Sequence, residues 1–271
     1  MFTHRATPLG LSVGATNLAG VFDGRPAVVR PSEVTLHGQR LTGFVDRIGD
    51  PVPLVAPDGS RHRPELLLAE ALGMVGRSAT EGAPATEAPP VAVTVPAHWR
   101  PSDVDVLRRT LHAGTPVISD ATAALTALSA EPGLPAHGVV VLCDFGGSGS
   151  SITLAEAADT YALIGETVRF TDFSGDLVDQ ALLTHVAASF ASEVDPSGTA
   201  MVGSLVRLRA ECRAAKERLS AETATPIAVD LPGQRTDVRV TRAELEGLIS
   251  GPLMDFLGAL DDTLQRYHIP P

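Results

Sequence analysis

Two glycine-containing turns carry the residue types best suited to holding phosphate. The segments Gly10–Thr16 and Asp144–Ser151 each include or follow apolar residues typical of a buried strand. Because glycine has no side chain, backbone N–H groups at such a turn can approach an anion closely. One turn of this kind is weak evidence, since a hairpin also selects glycine for its twist. Two of them can grip a phosphate chain from both sides, and the sequence therefore predicts a split phosphate clamp.

Strands must flank both turns if the clamp is to form. Leu9–Val13 and Ala19–Phe22 are predicted as a hairpin around the first turn, and Gly138–Asp144 and Ser151–Glu156 flank the second. The unit of strand, glycine turn and strand thus occurs twice. An internal duplication of this kind predicts two lobes with the ligand between them.

Hydrophobic spacing and end signals predict the remaining elements. Strands are expected at Ala27–Val29, Val91–Val95, Thr115–Ile118, Tyr161–Val168, Pro226–Asp230 and Asp237–Val240. Helices are expected at Pro64–Val75, from an N-cap at Ser102 to His112, and at Ala121–Leu128, Leu177–Val194 and Met201–Leu219, with a last one from a Thr241/Glu244 capping box to about Tyr267. Ser78–Pro90 has the composition of a surface loop.

The duplication sets the predicted domain organisation. Lobe I is expected over residues 1–137, with a short outer subdomain at about 32–76. Lobe II is expected over residues 138–271, with a core at 138–173 and a helical and hairpin outer subdomain at about 174–271. The length of 271 residues is sufficient for two lobes with a buried core.

Composition excludes two classes of partner. The formal net charge is −11 and no basic cluster is present, so we expect no nucleic-acid partner. No apolar run approaches the ~18 residues that suggest a transmembrane helix, so we expect no membrane segment in this chain. The segment Met1–Arg5 leads into strand signals without an apolar signal-peptide core. A cytoplasmic location is therefore expected.

Six segments, in order along the chain, resemble motifs of the nucleotide-binding domain of the seventy-kilodalton heat-shock chaperone (DnaK-type) family. They are Leu9–Asn17 (first phosphate loop), Val93–Trp99 (V-T-V-P-A-aromatic), Ser119–Ala124 (N-E-P-T-A-A), Asp144–Gly147 (second phosphate loop), Ser174–Asp179 (G-G-E-D-F-D) and Arg209–Ser220 (nucleoside-binding helix). Their collinearity is far more specific than any one motif. The resemblance implies an α/β, actin-like ATPase (ribonuclease-H-like) fold with a nucleotide cleft between two lobes.

The resemblance also implies roles for residues at the phosphates and the metal. Catalytic roles fall on Asp144, Asp120 and Thr16, with Asp144 near Mg²⁺ through water and Asp120 helping to position metal-bound water. The phosphates of ATP or ADP would be held by the two turns, through Gly14, Ala15, Thr16, Asn17, Gly146, Gly147 and Ser148. Asp120 could instead serve only as a helix N-cap at Ser119–Asp120.

A second set of residues would hold the nucleoside. By resemblance, Gly175 lies near the ribose, and Lys216 and Ser220 line the adenosine pocket. Arg213 lies one helical turn before Lys216 on the same face. Both basic residues could instead form a solvated helix face. His98, after the strand that closes on Pro96, is better interpreted as a packing residue than as a catalytic one.

Three departures from the family bear on hydrolysis. Ser12 and Ser151 stand where the family carries acids, and the family's first-lobe lysine is missing because Lys216 is the only lysine in the chain. Arg47 is the nearest substitute in sequence. Each contributor to phosphoryl transfer commonly accounts for a factor of ~10²–10³ in rate. The sequence therefore predicts ATP binding with weak or absent hydrolysis and at most weak Mg²⁺ binding.

The chain also ends earlier than the family pattern. Ile269–Pro271 follows a predicted helix, where the family continues with a strand, a second adenosine loop and a helix returning to lobe I. We therefore expect that the C-terminal part of lobe II is missing, and that a region beyond residue 271 or a separate protein is a partner.

Two other functions remain open on the same fold. One is a pseudo-ATPase that no longer binds nucleotide productively and serves as a scaffold or regulatory domain of a larger, cell-envelope-linked protein. The other is a sugar or acetate kinase, or an exopolyphosphatase, which would require a general base for the acceptor. Beyond Asp172 and Asp176, no collinear acid follows the second loop, and this disfavours the kinase hypothesis.

Overall fold

The computed structural model describes residues 7–22, 24–83, 88–130, 135, 137–158, 161–189, 199–232 and 234–270. The chain divides into two compact units. The first unit comprises Met1–Gly147 and Ser151–Arg169, and the second comprises Ser148–Ser150 and Phe170–Pro271. This division assigns most of the predicted lobe II core to the first unit. The lobe boundary after residue 137 stays a prediction.

The first unit contains twelve strands and three α-helices within the described residues. In chain order they are β1 (Leu9–Val13), β2 (Asn17–Phe22), β3 (Val28–Pro31), β4 (Glu33–Leu36), β5 (Gln39–Thr42), β6 (Leu54–Val55), β7 (Arg61–His62), α1 (Pro64–Ala79), β8 (Val91–Val95), α2 (Pro101–Arg108), β9 (Val117–Ser119), α3 (Asp120–Ser129), β10 (Val139–Phe145), β11 (Ser150–Glu156) and β12 (Val168–Phe170). The ends of β11 and β12, at Ser150 and Phe170, belong to the second unit.

A five-stranded mixed sheet forms the centre of the first unit. Its order is β3-β2-β1-β8-β9, with β1 antiparallel to β2 and parallel to β8. Along β1 the residues Leu9, Leu11 and Val13 are buried, while Gly10 and Ser12 are exposed. This alternation follows from the two-residue period of a strand, which places one face on the core. The other face of β1 therefore carries Ser12.

Helix α1 covers the buried face of that sheet. Pro64 occupies its first turn, where a missing N–H is tolerated, and buried residues recur at helical spacing through Leu68, Leu72 and Val75. These side chains belong to the same hydrophobic cluster as β1 and β8. The sequence predicted this helix only as far as Val75, and it continues to Ala79 because the apolar face extends one further turn.

A three-stranded sheet carries the second glycine turn. Its order is β10-β11-β12, and β11 is buried along almost its whole length. Leu125 of α3 packs in one cluster with Ala155, Ala157 and Tyr161. The turn between β10 and β11 is thus anchored on a buried strand.

The second unit combines helices with a long hairpin. It contains α4 (Gly175–Ala188), α5 (Thr199–Leu219), β13 (Ala224–Leu231), β14 (Gln234–Thr241) and α6 (Arg242–Arg266). Alternate residues of β13 are buried and pack with α4 and α5 around Leu208 and Cys212. The capping box predicted for α6 is confirmed, since Thr241 and Glu244 exchange both cap contacts. No helix within the described ranges has the length and apolar character needed to cross a membrane.

Two sequence predictions of local structure were wrong. Helix α2 starts at Pro101 after an Arg100 N-cap that makes no side-chain cap bond, so Ser102 is not the cap, and the helix ends at Arg108. A strand over Tyr161–Val168 was also expected. The chain instead turns through positive φ at Tyr161 (44°) and Gly165 (69°) and pairs as β12 only from Val168. Extended backbone cannot pass through such conformations.

Two other predictions extend beyond the described residues. Helix α4 ends at Ala188, and positions 190–194 of its predicted range lie outside the described part of the chain. Residues 84–87 of the predicted surface loop also lie outside it. The remaining predicted elements are present, with ends displaced by a few residues.

Candidate functional site

The first glycine turn is held in shape by Ser32, a buried residue that sequence reasoning missed. The Ser32 hydroxyl donates to the Gly14 carbonyl (2.6 Å), and its backbone N–H donates to the Thr16 carbonyl (2.9 Å). A Cβ at Gly14 would lie 2.8 Å from the Asn17 carbonyl oxygen, so the turn is too tight for a side chain there. Nothing in the sequence around Ser32 distinguishes it from a loop serine.

The two glycine turns meet within the first unit. A Cβ at Gly147 would overlap the Thr16 hydroxyl oxygen and lie 2.9 Å from the Thr16 Cβ. Only glycine permits this approach of the second turn to the side chain of the first. Thr16 and Gly147, which the sequence placed on opposite sides of one phosphate chain, are therefore neighbours in the structure.

Asp120 lies at the first position of α3 and ties that helix to the end of β8. Its Oδ1 accepts hydrogen bonds from the backbone N–H groups of Ala97 (2.8 Å) and Ala121 (2.7 Å). The N-cap of α3 is Ser119, whose hydroxyl accepts from the Thr122 N–H (3.0 Å). Within the predicted pair Ser119–Asp120, the N-cap is thus Ser119, and Asp120 is the first helical residue.

The environment of Asp120 favours its neutral form. Burial raises the pKa of Asp120 to about 6, although the two backbone N–H groups lower it, and the negative charge of Asp144 raises it further. Asp144 itself is exposed near the end of β10. The charge of Asp144 thus acts on Asp120, and Asp120 is the more buried of the two acids.

Arg169, on β12, is the cation that sequence reasoning missed. Its Nη1 donates to the Ser151 hydroxyl (3.4 Å), and the charges of Asp46, Asp144 and Asp120 all act on its guanidinium. Burial lowers the pKa of Arg169, and these acids oppose that change. The only sequence signal was a charged residue inside an apolar strand, Val168-Arg169-Phe170.

Arg47 is the residue that the sequence suggested in place of the family's lysine. In the structure it is bonded to Asp50 and Val52. Its guanidinium donates to Asp50 Oδ2 through Nη2 (2.8 Å) and Nε (3.1 Å), and also to the Val52 carbonyl (2.8 Å). These bonds close a local turn. Arg169, and not Arg47, lies in the electrostatic surroundings of Asp120 and Asp144.

His98 follows β8 and is uncharged at neutral pH. Burial lowers the pKa of His98 to about 4, and the positive charge of Arg169 acts in the same direction. A half-buried neutral imidazole is consistent with the packing role expected from the sequence. Because the positive charge of Arg169 lowers the pKa of His98, removal of that charge should raise the pKa of His98.

The shifted pKa values of Asp120 and His98 predict opposite effects of pH on stability. Asp120 binds its proton more tightly when folded, so its contribution is complete below about pH 3.8 and is lost as pH rises through 6. His98 binds its proton less tightly when folded, so its contribution is present above about pH 6.5 and is lost as pH falls through 4. The two effects largely cancel between pH 4 and 6 in the wild-type protein.

Asp120→Asn should therefore stabilise the protein at pH 7.5 more than at pH 4.5. We expect a gain of about 1–2 kcal/mol in the free energy of unfolding at the higher pH, after allowance for partial solvent exposure. His98→Gln should show the opposite trend and gain relative stability as pH falls. Urea unfolding at both pH values measures this, with the exposed Asp105→Asn as control. An Asp120→Asn effect that is equal at both pH values would contradict the assignment.

The predicted nucleoside residues belong to the second unit. Lys216 of α5 and Ser220, the residue after that helix, line a cavity of about 420 Å³ together with Arg242 and Glu246 of α6. Arg213 does not line this cavity, and it forms an ion pair with Glu217 (3.4 Å) along the exposed face of α5. The structure therefore brings two of the three predicted side chains to one pocket.

Lys216 also has a structural role in the second unit. Its Nζ lies 2.6 Å from Oδ1 of the buried Asp179 and donates to the Gly175 carbonyl at 3.1 Å. Oδ1 of Asp179 accepts no well-directed hydrogen bond from the described residues, so it depends on the Lys216 charge. Lys216, predicted in the adenosine pocket, and Gly175, predicted near the ribose, are thus in direct contact.

The residues around the clamp are a poor match to a metal site made by the protein alone. The described ranges hold no group of three or more His, Cys, Asp or Glu side chains that could bind a metal ion. Asp120 Oδ1 is already occupied by two backbone donors. Mg²⁺ commonly uses one or two carboxylates, several waters and substrate phosphates. Asp144, which is exposed, is the residue suited to such an outer role.

Fold and site together define a class of protein. The first unit has a mixed sheet of order β3-β2-β1-β8-β9, and a second sheet carries another glycine turn. The two turns meet at Thr16 and Gly147. These features are those of the actin-like ATPase fold. The fold class predicted from the sequence is confirmed.

Comparison with known proteins gives the family. Residues 49–269 match the sequence model of the family described as Hsp70 protein, and this chain belongs to that family. It is 29% identical to a heat shock cognate HSP70 protein of Trypanosoma brucei brucei over 205 residues, which are 70% of this chain and 29% of that protein. It is 30% identical to a ribosome-associated molecular chaperone of Zygosaccharomyces rouxii over 48% of this chain and 22% of that protein.

A third relative shows the same partial coverage. The chain is 27% identical to a heat shock 70 kDa protein of Neurospora crassa over 178 residues, which are 64% of this chain and 28% of that protein. The chain thus spans less than a third of the length of these relatives. The predicted resemblance to a divergent Hsp70 nucleotide-binding domain is confirmed.

Proposed function

We propose that this chain binds ATP and ADP through the two glycine turns and hydrolyses ATP slowly or not at all. The approach of Gly147 to Thr16 is the observation that carries the proposal. Two turns that meet without an intervening side chain can direct backbone N–H groups at one phosphate chain. The Thr16 hydroxyl would add a further donor. This grip depends on backbone geometry, which the substitutions at positions 12 and 151 do not alter.

The weakness proposed for hydrolysis rests on the side chains around the clamp. Ser12 lies on the exposed face of β1 and Ser151 is buried beside Arg169, and neither can carry a negative charge at neutral pH. Bound Mg²⁺ would neutralise phosphate charge, and Asp144 would hold it through water. Asp120, with its pKa of about 6, is mostly ionised at neutral pH, but its Oδ1 already accepts two backbone N–H groups. The set of acids that positions water is thus reduced.

Within the second unit, the cavity beside α6 contains two of the residues predicted for the nucleoside. Ser220 and Lys216 line the cavity beside α6. The Lys216 ammonium forms an ion pair with Asp179. We therefore propose that Lys216 contributes shape and a fixed charge to this pocket and that Arg213 contributes less. ATP analogues that lack the adenine base should bind more weakly than ATP.

Thermal unfolding with and without nucleotide tests the proposed binding. A ligand that binds only the folded state stabilises it by about 2.7 kcal/mol at 100 times its Kd. We expect a higher Tm with ATP or ADP and no change with adenosine at the same concentration. Unchanged melting at millimolar ATP would contradict the proposal.

Steady-state phosphate release separates the slow ATPase from the pseudo-ATPase scaffold. A low rate that Asp144→Asn removes would establish hydrolysis at this site, whereas the absence of both phosphate release and a nucleotide-dependent rise in Tm would favour the scaffold. The alternative of a sugar or acetate kinase predicts phosphate transfer to an acceptor. The same assay with labelled ATP and a panel of sugars and acetate would detect that transfer.

Partners and location belong to the proposal as well. We propose that a protein partner, or a region of the same protein outside these residues, receives the nucleotide signal. We also propose a cytoplasmic location, where ATP is available. The net charge of −11 supports the expectation that nucleic acid is not a partner.

A further inference from the structure

The phosphate clamp has few carboxylate oxygens available to hold a magnesium ion in the described part of the chain. Ser12 on β1 and Ser151 on β11 carry hydroxyls, which are neutral at ordinary pH. Asp120 has one oxygen occupied by two backbone N–H groups, which leaves Asp144 as the exposed acid among the predicted site residues. A divalent cation would therefore find few protein oxygens here in the described part of the chain.

A fixed positive charge is already present at the same place. Arg169 is half-buried on β12, and its guanidinium donates to the Ser151 hydroxyl at 3.4 Å. Asp46, Asp120 and Asp144 act electrostatically on it. Each of these residues belongs to the first unit, which also contains Thr16 and Gly147. The guanidinium therefore lies among the acids of the candidate phosphate site.

We infer that Arg169 provides the positive charge that holds the phosphates of ATP, so that nucleotide binding by this chain depends little on Mg²⁺. The inference rests on the proposed function. It specifies the charged form of the ligand, since a metal-free ATP carries more negative charge than its magnesium complex. It also assigns a binding role to a residue that none of the sequence motifs contains.

The chemistry of arginine suits this role better than that of lysine. A guanidinium keeps its charge when partly buried and presents several N–H donors in one plane, which can grip two phosphate oxygens at once. Ser151 accepts one N–H from Arg169 and is neutral, so it adds nothing to the negative charge of Asp46, Asp120 and Asp144. A carboxylate at position 151 would instead form an ion pair with Arg169 and reduce its attraction for phosphate.

Calorimetric titration of ATP, in MgCl₂ and in excess EDTA, tests the inference. For the wild-type protein we expect Kd values within about threefold of each other, a difference below ~0.7 kcal/mol. Arg169→Met should weaken binding in EDTA by roughly 10- to 100-fold, as for loss of a hydrogen bond to a charged group. Arg109→Met, which removes an exposed arginine, should leave Kd unchanged.

Ser151→Asp provides a second variant in which the guanidinium remains. It should weaken binding in EDTA and make binding dependent on Mg²⁺, because the new carboxylate pairs with Arg169. Circular dichroism and melting of each variant establish that it is folded. Wild-type binding that requires Mg²⁺, or Arg169→Met binding equal to wild type, would overturn the inference while the proposed function stands. Undetectable ATP binding under both conditions would overturn both.

Discussion

Gly147→Ala should reduce ATP affinity by roughly 10- to 100-fold, the loss expected when a backbone N–H no longer donates to the charged phosphate. The added methyl group would overlap the Thr16 hydroxyl and approach the Thr16 Cβ to 2.9 Å. The two turns must then separate, and the backbone N–H groups no longer converge on one phosphate chain. Calorimetric titration with ATP measures the loss, and overpacking should also lower stability by about 1–3 kcal/mol.

A second substitution, at Thr16, tests whether the overlap between residue 147 and Thr16 causes the loss of stability. Thr16→Gly removes the atoms that the new methyl group meets, so the Thr16→Gly/Gly147→Ala double variant should recover the melting temperature without the Thr16 hydroxyl. Gly247→Ala is a matched control, because a Cβ at this position in α6 meets no atom within 4 Å. Wild-type affinity in Gly147→Ala would show that the two turns do not form the clamp.

Lys216→Met should lower the free energy of unfolding by about 3 kcal/mol, the low end of the effect of breaking a buried ion pair. The Asp179 side chain is 4% exposed and the Lys216 side chain is 23% exposed, with 2.6 Å between their charged atoms. Removal of the ammonium leaves a buried carboxylate without its compensating charge. Urea unfolding at neutral pH, without nucleotide, measures this structural contribution separately from any role in binding.

Two comparisons isolate that contribution. Asp179→Asn in the Lys216→Met background should recover most of the stability, because the buried negative charge is gone. Arg213→Met lies in the same helix and breaks an exposed pair with Glu217, so it should change stability by less than about 1 kcal/mol. Equal losses for Lys216→Met and Arg213→Met would refute the buried-pair interpretation.

Local patterns in the sequence predicted most of the fold. The ends of β1 and β8 were predicted to the residue, because their apolar runs are short and bounded by turn or proline signals. The Thr241 capping box was equally clear. The strand predicted over Tyr161–Val168 failed, since nothing local reveals that Tyr161 adopts a positive φ. Backbone conformation there follows from packing, where Tyr161 is buried with Leu125 and Ala155.

The amino-acid sequence by itself determined the family, the two glycine turns and the neutral serines at positions 12 and 151, because these depend on residue type and order. Tertiary structure alone decided which cation lies among the acids. Arg47 is closed into a turn by Asp50, whereas Arg169 contacts Ser151 from a separate strand. Charge–charge attraction depends on distance in space, and the pairing of β11 with β12 sets that distance.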